Sequence, residues 1–213
     1  MKAVTFNIVL LRHAQTEHGE RNQLMGILDI PCSRQGRAQA RAVGKKLGIE
    51  KYFRIYSSPL KRAIQTAQDV FPRGDLTVEE CLIERNLGDW AGKRFEDVAR
   101  EYPEAFLKSG HLDPFYTPKN GEPMEDMILR VKTFLAKLHD LHTAVACENV
   151  NKGNNRIAIV THNGVIRVIR CLIEKLHFSD MYNQAEIYLK PIHYTYDGDC
   201  WKSASFPQKG ITV

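Results

Sequence analysis

The sequence predicts an α/β fold in which a mostly parallel sheet carries helices on both faces. Two observations predict it. Short apolar, β-branched runs alternate with amphipathic helical patterns from Phe6 to about Leu176, the alternation that crossover helices impose on a parallel sheet. The first run, Phe6–Leu11, is also β-branched and apolar in the manner of a central strand buried on both faces.

The elements follow in chain order. Phe6–Leu11 predicts a central strand, and a helix starts near Ser33 with Ala38, Ala42, Val43 and Leu47 on one face. Tyr52–Tyr56 is the second strand. Ser58 and Pro59 then supply an N-cap and a first-turn proline for a helix over Leu60–Val70. Glu125–Leu141 predicts a long amphipathic helix, Asn149–Asn155 a surface loop, Arg156–Val160 a third strand and Val165–Leu176 a helix apolar on most sides. The tail changes character. Glu186–Leu189, His193–Tyr196 and Cys200–Ser205 predict short strands, the last two joined by a hairpin turn at Asp197-Gly198.

Bulk properties restrict the function classes. A chain of 213 residues buries one good core, so a single domain over residues 1–213 is expected, with 101–125 as a cap. Hydrophobic residues make up 43% and charged residues 26%, and no apolar run approaches the roughly 18 residues of a membrane helix. The N-terminal run is too short for the core of a signal peptide, and Cys32, Cys81, Cys147, Cys171 and Cys200 form no paired pattern. A cytoplasmic protein with reduced thiols is expected, with neither a membrane nor a nucleic-acid partner. The formal charge of +5 comes from interspersed basic and acidic residues, so it suits an anion site or a well-solvated surface rather than a nucleic-acid stripe. Oligomeric state has no sequence signature here.

In such a sheet, ligands bind beyond the carboxyl ends of the strands. The first strand runs into Arg12-His13-Ala14, the second into Ser57-Ser58-Pro59-Leu60-Lys61-Arg62, and the third into Thr161-His162-Asn163-Gly164. Three strand ends therefore converge on one anion-binding concavity. Phosphoryl transfer needs positive charge on three equatorial oxygens and an in-line nucleophile, and guanidinium forks suit the first task. Arg12 and Arg62 would take it. A neutral imidazole carries a phosphoryl group as a covalent intermediate, the task expected of His13. Glu84 follows the apolar pair Leu82-Ile83, which would keep it protonated as the acid for the leaving oxygen. Taken singly, each of these residues is more often structural; their joint order points to function.

Leu11–Thr16, read as LRHAQT, resembles the Leu-Arg-His-Gly-Glu/Gln-Thr signature of the histidine phosphatase superfamily, in its phosphoglycerate mutase-like branch. LDIPCSRQGRAQA (28–40), SSPLKRAIQTA (57–67), ERNLGDWAG (84–92) and VTHNGVIRV (160–168) look like its further motifs, in family order. The resemblance implies a phosphoglycerate mutase-like, three-layer α/β/α sandwich. It implies His13 as nucleophile, Glu84 as proton donor, Arg12, Arg62 and His162 as the phosphate pocket, and no metal or other cofactor. Gln15, Thr16, Gly26 and Asn163 are candidate substrate contacts. The chain departs from the pattern at Ala14 for Gly, Gly19 for Asn, Asn163 for Gly, and Pro123 within Gly-Glu-Ser.

The implied activity is metal-independent hydrolysis of a phosphate monoester, of a small molecule or of a phosphoprotein. Mutases of this branch carry adjacent arginines between the acid and the second histidine; between Phe95 and Pro123 this chain has only Arg100. Phosphoglycerate mutase-type transfer is thus the alternative, together with an inactive module that holds a phosphorylated ligand. His139 and His142 read as a solvated helix end, His18 as a loop residue near the pocket, and Trp90 as packing under the Glu84 loop. His111, Tyr116 and Lys119 belong to the cap.

Overall fold

A computed structural model describes residues 4–17, 22–47, 52–148 and 155–204. The expected loop over 149–155 and His18 and Gly19 fall outside these residues, apart from Asn155. Six strands, β1 (Phe6–Arg12), β2 (Arg54–Ser57), β3 (Leu76–Val78), β4 (Arg156–Thr161), β5 (Ile192–Tyr196) and β6 (Trp201–Ser203), form one sheet in the order β3-β2-β4-β1-β5-β6. The first four in that order run parallel; β5 is antiparallel to β1, and β6 to β5.

Alternation along the strands builds the layers, because successive side chains point to opposite faces. Ile8, Leu10, Ile157 and Ile159 meet one apolar cluster, with α4 (Met124–Glu148) and α5 (Asn163–Glu174). Val9, Leu11, Ala158 and Val160 meet the other, with α1 (Arg34–Leu47) and α2 (Lys61–Val70). The result is the expected three-layer sandwich. A third, small cluster under Trp90, Val98 and Ala105 belongs to α3 (Phe95–Glu101) and the segment after it.

Register decides where the site lies. Val160 pairs with Leu11 on one side and Ser57 on the other, so the carboxyl ends of β1, β2 and β4 stop at one level. The pairing continues one residue further, through His13 N–H to Thr161 O (2.9 Å) and Ser58 N–H to Val160 O (3.1 Å).

Several local expectations are corrected. On α1 the buried positions are Gly36 and Ala40, while Ala38 and Ala42 face solvent. Glycine is invisible to apolar periodicity, yet it allows close approach: a Cβ on Gly36 would run into Gln15 O, and one on Gly44 would lie 2.5 Å from Val70 O. Ser58 is not the cap of α2, which begins after Leu60; Lys61 N–H donates instead to Asp29 Oδ1 (2.7 Å). Glu186–Leu189 is no strand. Leu189 has φ of 59° and donates its N–H to Arg12 O (3.1 Å), so the segment turns against the end of β1 instead of pairing beside it. The β5–β6 hairpin loop spans 197–200 rather than two residues, and Asp197 Oδ1 accepts from Asp199 N–H and Cys200 N–H. His142 is buried rather than solvated, its Nε2 on Val4 O (2.9 Å), and His139 Nδ1 meets Tyr196 Oη (2.8 Å). No helix among the described residues is long and apolar enough to cross a membrane.

Candidate active site

His13 follows the last residue of β1 and is 2% exposed. Its Nδ1 lies 2.7 Å from Ala14 O. A carbonyl only accepts, so Nδ1 carries the proton and Nε2 keeps a free lone pair. Burial, followed by the charges of Arg62 and Arg12, holds the His13 pKa well below the usual imidazole value, against the opposing bond to Ala14. The ring is therefore neutral near pH 7. Ala14 N–H donates to Thr66 Oγ1 (2.8 Å), which ties this turn to α2.

Arg12 is held from the C-terminal segment. Its Nη1 donates to Glu186 O (2.7 Å), its guanidinium carbon lies 3.7 Å from the Tyr188 ring centroid, and its buried Nε has no partner. Tyr188 also packs edgewise on His13, with ring centroids 5.5 Å apart. Glu186 in turn pairs with Arg170 at 2.8 Å. Two residues distant in sequence thus brace both members of the Arg12-His13 pair.

Arg62 is 1% exposed and donates to Leu28 O (2.6 Å), Gly26 O (2.7 Å) and His162 Nδ1 (3.2 Å). Because Nδ1 of His162 accepts, the proton of the neutral ring sits on Nε2, 2.7 Å from Ser58 Oγ. His162 is fully buried, and its pKa is driven well below the usual value by burial, then by His13 and Arg62. Its ring lies 5.0 Å from that of His13.

Glu84 sits across the site, in the loop after a short 3-10 helix at Glu80–Leu82. Its Oε1 accepts from its neighbour Arg85 N–H (2.9 Å) and its Oε2 from Gly164 N–H (3.1 Å). Glycine at 164 lets the carboxylate come this close, since a Cβ there would lie 2.5 Å from Glu84 Oε1 and push it aside. Arg85 spends its guanidinium on Glu122 O, Pro114 O and Tyr116 O (each 2.9 Å), fastening the cap to the loop of the carboxylate.

These groups line one cavity of about 380 Å³. Arg12, His13, Gly26, Arg62, Glu84 and Asn163 are on its wall; His162 lies behind Arg62, while Gln15 and Thr16 do not line it. Thr16 is buried, with its hydroxyl on Met25 Sδ (3.2 Å). Phe95, His111, Leu112, Asp113, Tyr116 and Pro118 form the cap side, and Trp90 stacks on Tyr116 at 5.4 Å and 8°. Lys119 is exposed and is not among the lining residues. Sequence reasoning does not single out Arg167, yet its spacing signals it: four residues after Asn163, it lies on the same face of α5. Tyr188 and Glu186 have no local signal. No cluster of three metal-ligating side chains occurs among the described residues.

Residues 8–206 match the family described as the histidine phosphatase superfamily (branch 1). The chain is 36% identical over 165 residues to phosphoglycerate mutase-like protein 4 of Arabidopsis thaliana, covering 75% of this chain and 67% of that one. It is 31% identical to phosphoserine phosphatase 1 of Hydrogenobacter thermophilus, covering 78% and 75%. A solved mycobacterial glucosyl-3-phosphoglycerate phosphatase superposes with a TM-score of 0.78 at 25% identity, over 94% of this chain and 97% of that one.

Proposed function

This chain belongs to branch 1 of the histidine phosphatase superfamily, and from that premise we propose that it hydrolyses phosphate monoesters of small molecules through a phosphohistidine on His13. The observation that carries the reading is the tautomer of His13. With Nδ1–H bound to Ala14 O, the lone pair of Nε2 is left for an ester phosphorus in a cavity walled by Arg12, Arg62 and Glu84.

In the first step Nε2 forms a bond to phosphorus as the ester P–O bond breaks, and Glu84 gives its proton to the leaving oxygen. In the second, Glu84 takes a proton from water, whose oxygen attacks phosphorus; the P–N bond breaks and its electron pair returns to Nε2. Arg12 and Arg62 hold the three equatorial oxygens, which carry the developing charge. His162 belongs to the phosphate pocket through Arg62, whose Nε–H it accepts. In this mechanism guanidiniums do the charge work and no metal takes part. Asn163 and Gly26 touch the substrate side of the pocket, whereas Gln15 and Thr16 act behind it. Relatives named for phosphoserine and for glucosyl-3-phosphoglycerate, together with a cavity of about 380 Å³, support a small phosphorylated substrate over a phosphoprotein.

Single-turnover assay with a chromogenic phosphomonoester tests the mechanism. Expected are an acid-labile phosphoryl label on His13, inorganic phosphate as product, and loss of turnover in His13→Ala. Hydrolysis by that variant near the wild-type rate would reject the covalent route. Conversion of 3-phosphoglycerate to 2-phosphoglycerate in place of phosphate release would reject hydrolysis.

A further inference from the structure

Beyond the groups proposed to handle the phosphoryl moiety, the cavity holds a guanidinium whose buried Nε has no hydrogen-bond acceptor among the described residues. Arg167 lines the cavity from α5, and its buried Nε has no partner. Its guanidinium carbon lies 4.6 Å from the ring centroid of Tyr182, and the charges of Glu186 and Glu84 bear on it as well. A guanidinium stacked on a ring through its face keeps its N–H donors in the plane, at the edge, where they reach an anion as a fork. Tyr182 is held in turn by His111, stacked on it at 4.9 Å and 2°, so the cation stands on a built support. Arg85, by contrast, has its donors on three backbone carbonyls.

We propose that Arg167 determines substrate specificity by binding a carboxylate on the substrate, so that this protein acts on phosphate monoesters of small carboxylic acids. The inference rests on the phosphatase reading and narrows its substrate class. Position separates this anion from the phosphoryl group. Arg167 stands one turn along α5 from Asn163, against Tyr182, which stacks on His111 of the cap, whereas Arg12 and Arg62 enter the cavity from the sheet end and α2. Charge selects carboxylate over a second phosphate. Four guanidiniums line the cavity against the carboxylate of Asp113 and a Glu84 that is protonated for the first step, so a phosphoryl dianion leaves one positive charge. A carboxylate neutralises that charge, where a second phosphate dianion overshoots it. Discrimination follows because a substrate without the acid leaves the buried Nε of Arg167 without an acceptor.

Matched esters that differ at the acid test the proposal: 3-phosphoglycerate against glycerol 3-phosphate, O-phosphoserine against O-phosphoethanolamine, and phosphoglycolate against 2-hydroxyethyl phosphate. The wild-type protein should favour the acid in at least one pair by about thirtyfold or more in kcat/KM. In Arg167→Met that ratio should fall below about three, and Arg167→Lys should keep part of it, with thermal melting showing both variants folded. Absence of acid preference in every pair, or an equal loss on both members of the preferred pair in Arg167→Met, would overturn the assignment while leaving the phosphatase reading intact. No turnover of any ester by the wild-type protein, the chromogenic one included, would fail the phosphatase reading itself and this proposal with it.

Discussion

At the scale of single residues, the geometry of Arg62 explains why a planar fork is needed there. Three directions are used at once, to Gly26 O, Leu28 O and His162 Nδ1, and a lysine ammonium on one flexible stem cannot span them while also facing a phosphoryl oxygen. Arg62→Lys should therefore cost about 2 to 4 kcal/mol of transition-state stabilisation, read as a fall in kcat/KM. Unchanged kcat/KM would place Arg62 outside the working part of the pocket. The same residue shows what the sequence signals and what it hides. Its place two residues after the Pro59-Leu60 turn marks it as a site candidate; its partners in the 26–28 loop do not follow from any local pattern.

At the scale of elements, the segment 186–189 carries a role that a strand assignment conceals. Its apolar, aromatic run reads as β structure, but the left-handed turn at Leu189 swings the chain so that Glu186 O and Tyr188 meet Arg12. The carboxylate of Glu186 pins this turn to Arg170 on α5, in a pair that is buried on both sides. Removing Glu186 takes the acceptor from Arg170 Nη1 and leaves Arg170 with its second partner, Glu174, at 3.1 Å. Glu186→Ala should thus lower stability by about 2 kcal/mol and, by loosening Arg12, reduce kcat/KM at least about tenfold. Denaturant unfolding and steady-state kinetics on the same preparation check both parts. Lost stability with full activity would mean that Arg12 is held without this segment.

At the scale of the whole molecule, two neutral histidines buried together make stability depend on pH. Burial and the neighbouring arginines lower both pKa values well below 6.5. The unfolded chain takes up these protons as pH falls below about 6.5, and the folded chain refuses them. Stability is therefore complete above that pH and is lost as pH falls, by up to about 2.7 kcal/mol per pH unit for two groups. Unfolding free energies measured between pH 7.5 and 5 should show this slope, reduced by about one proton in His13→Asn. Equal slopes for the two proteins would show that His13 is not held neutral by the fold.

The sequence by itself determined the layered α/β architecture and the sheet-end part of the cavity wall, Arg12, His13, Arg62 and Asn163, because both depend on short-range signals. Continuous apolar strands need cover on both faces, and chemically distinctive residues directly after three such strands fall at one sheet end whatever the loops do. Tertiary structure alone decided the rest. The stripe of α1 rests on glycines whose value is the closeness of another backbone, and the N-terminus of α2 meets Asp29 from across a loop, freeing Ser58 for His162. His162 donates no bond to the cavity but accepts from Arg62, and Tyr188 packs on His13, some 175 positions earlier in the chain. Each of these depends on the distance between atoms far apart in sequence, which packing sets and periodicity does not encode.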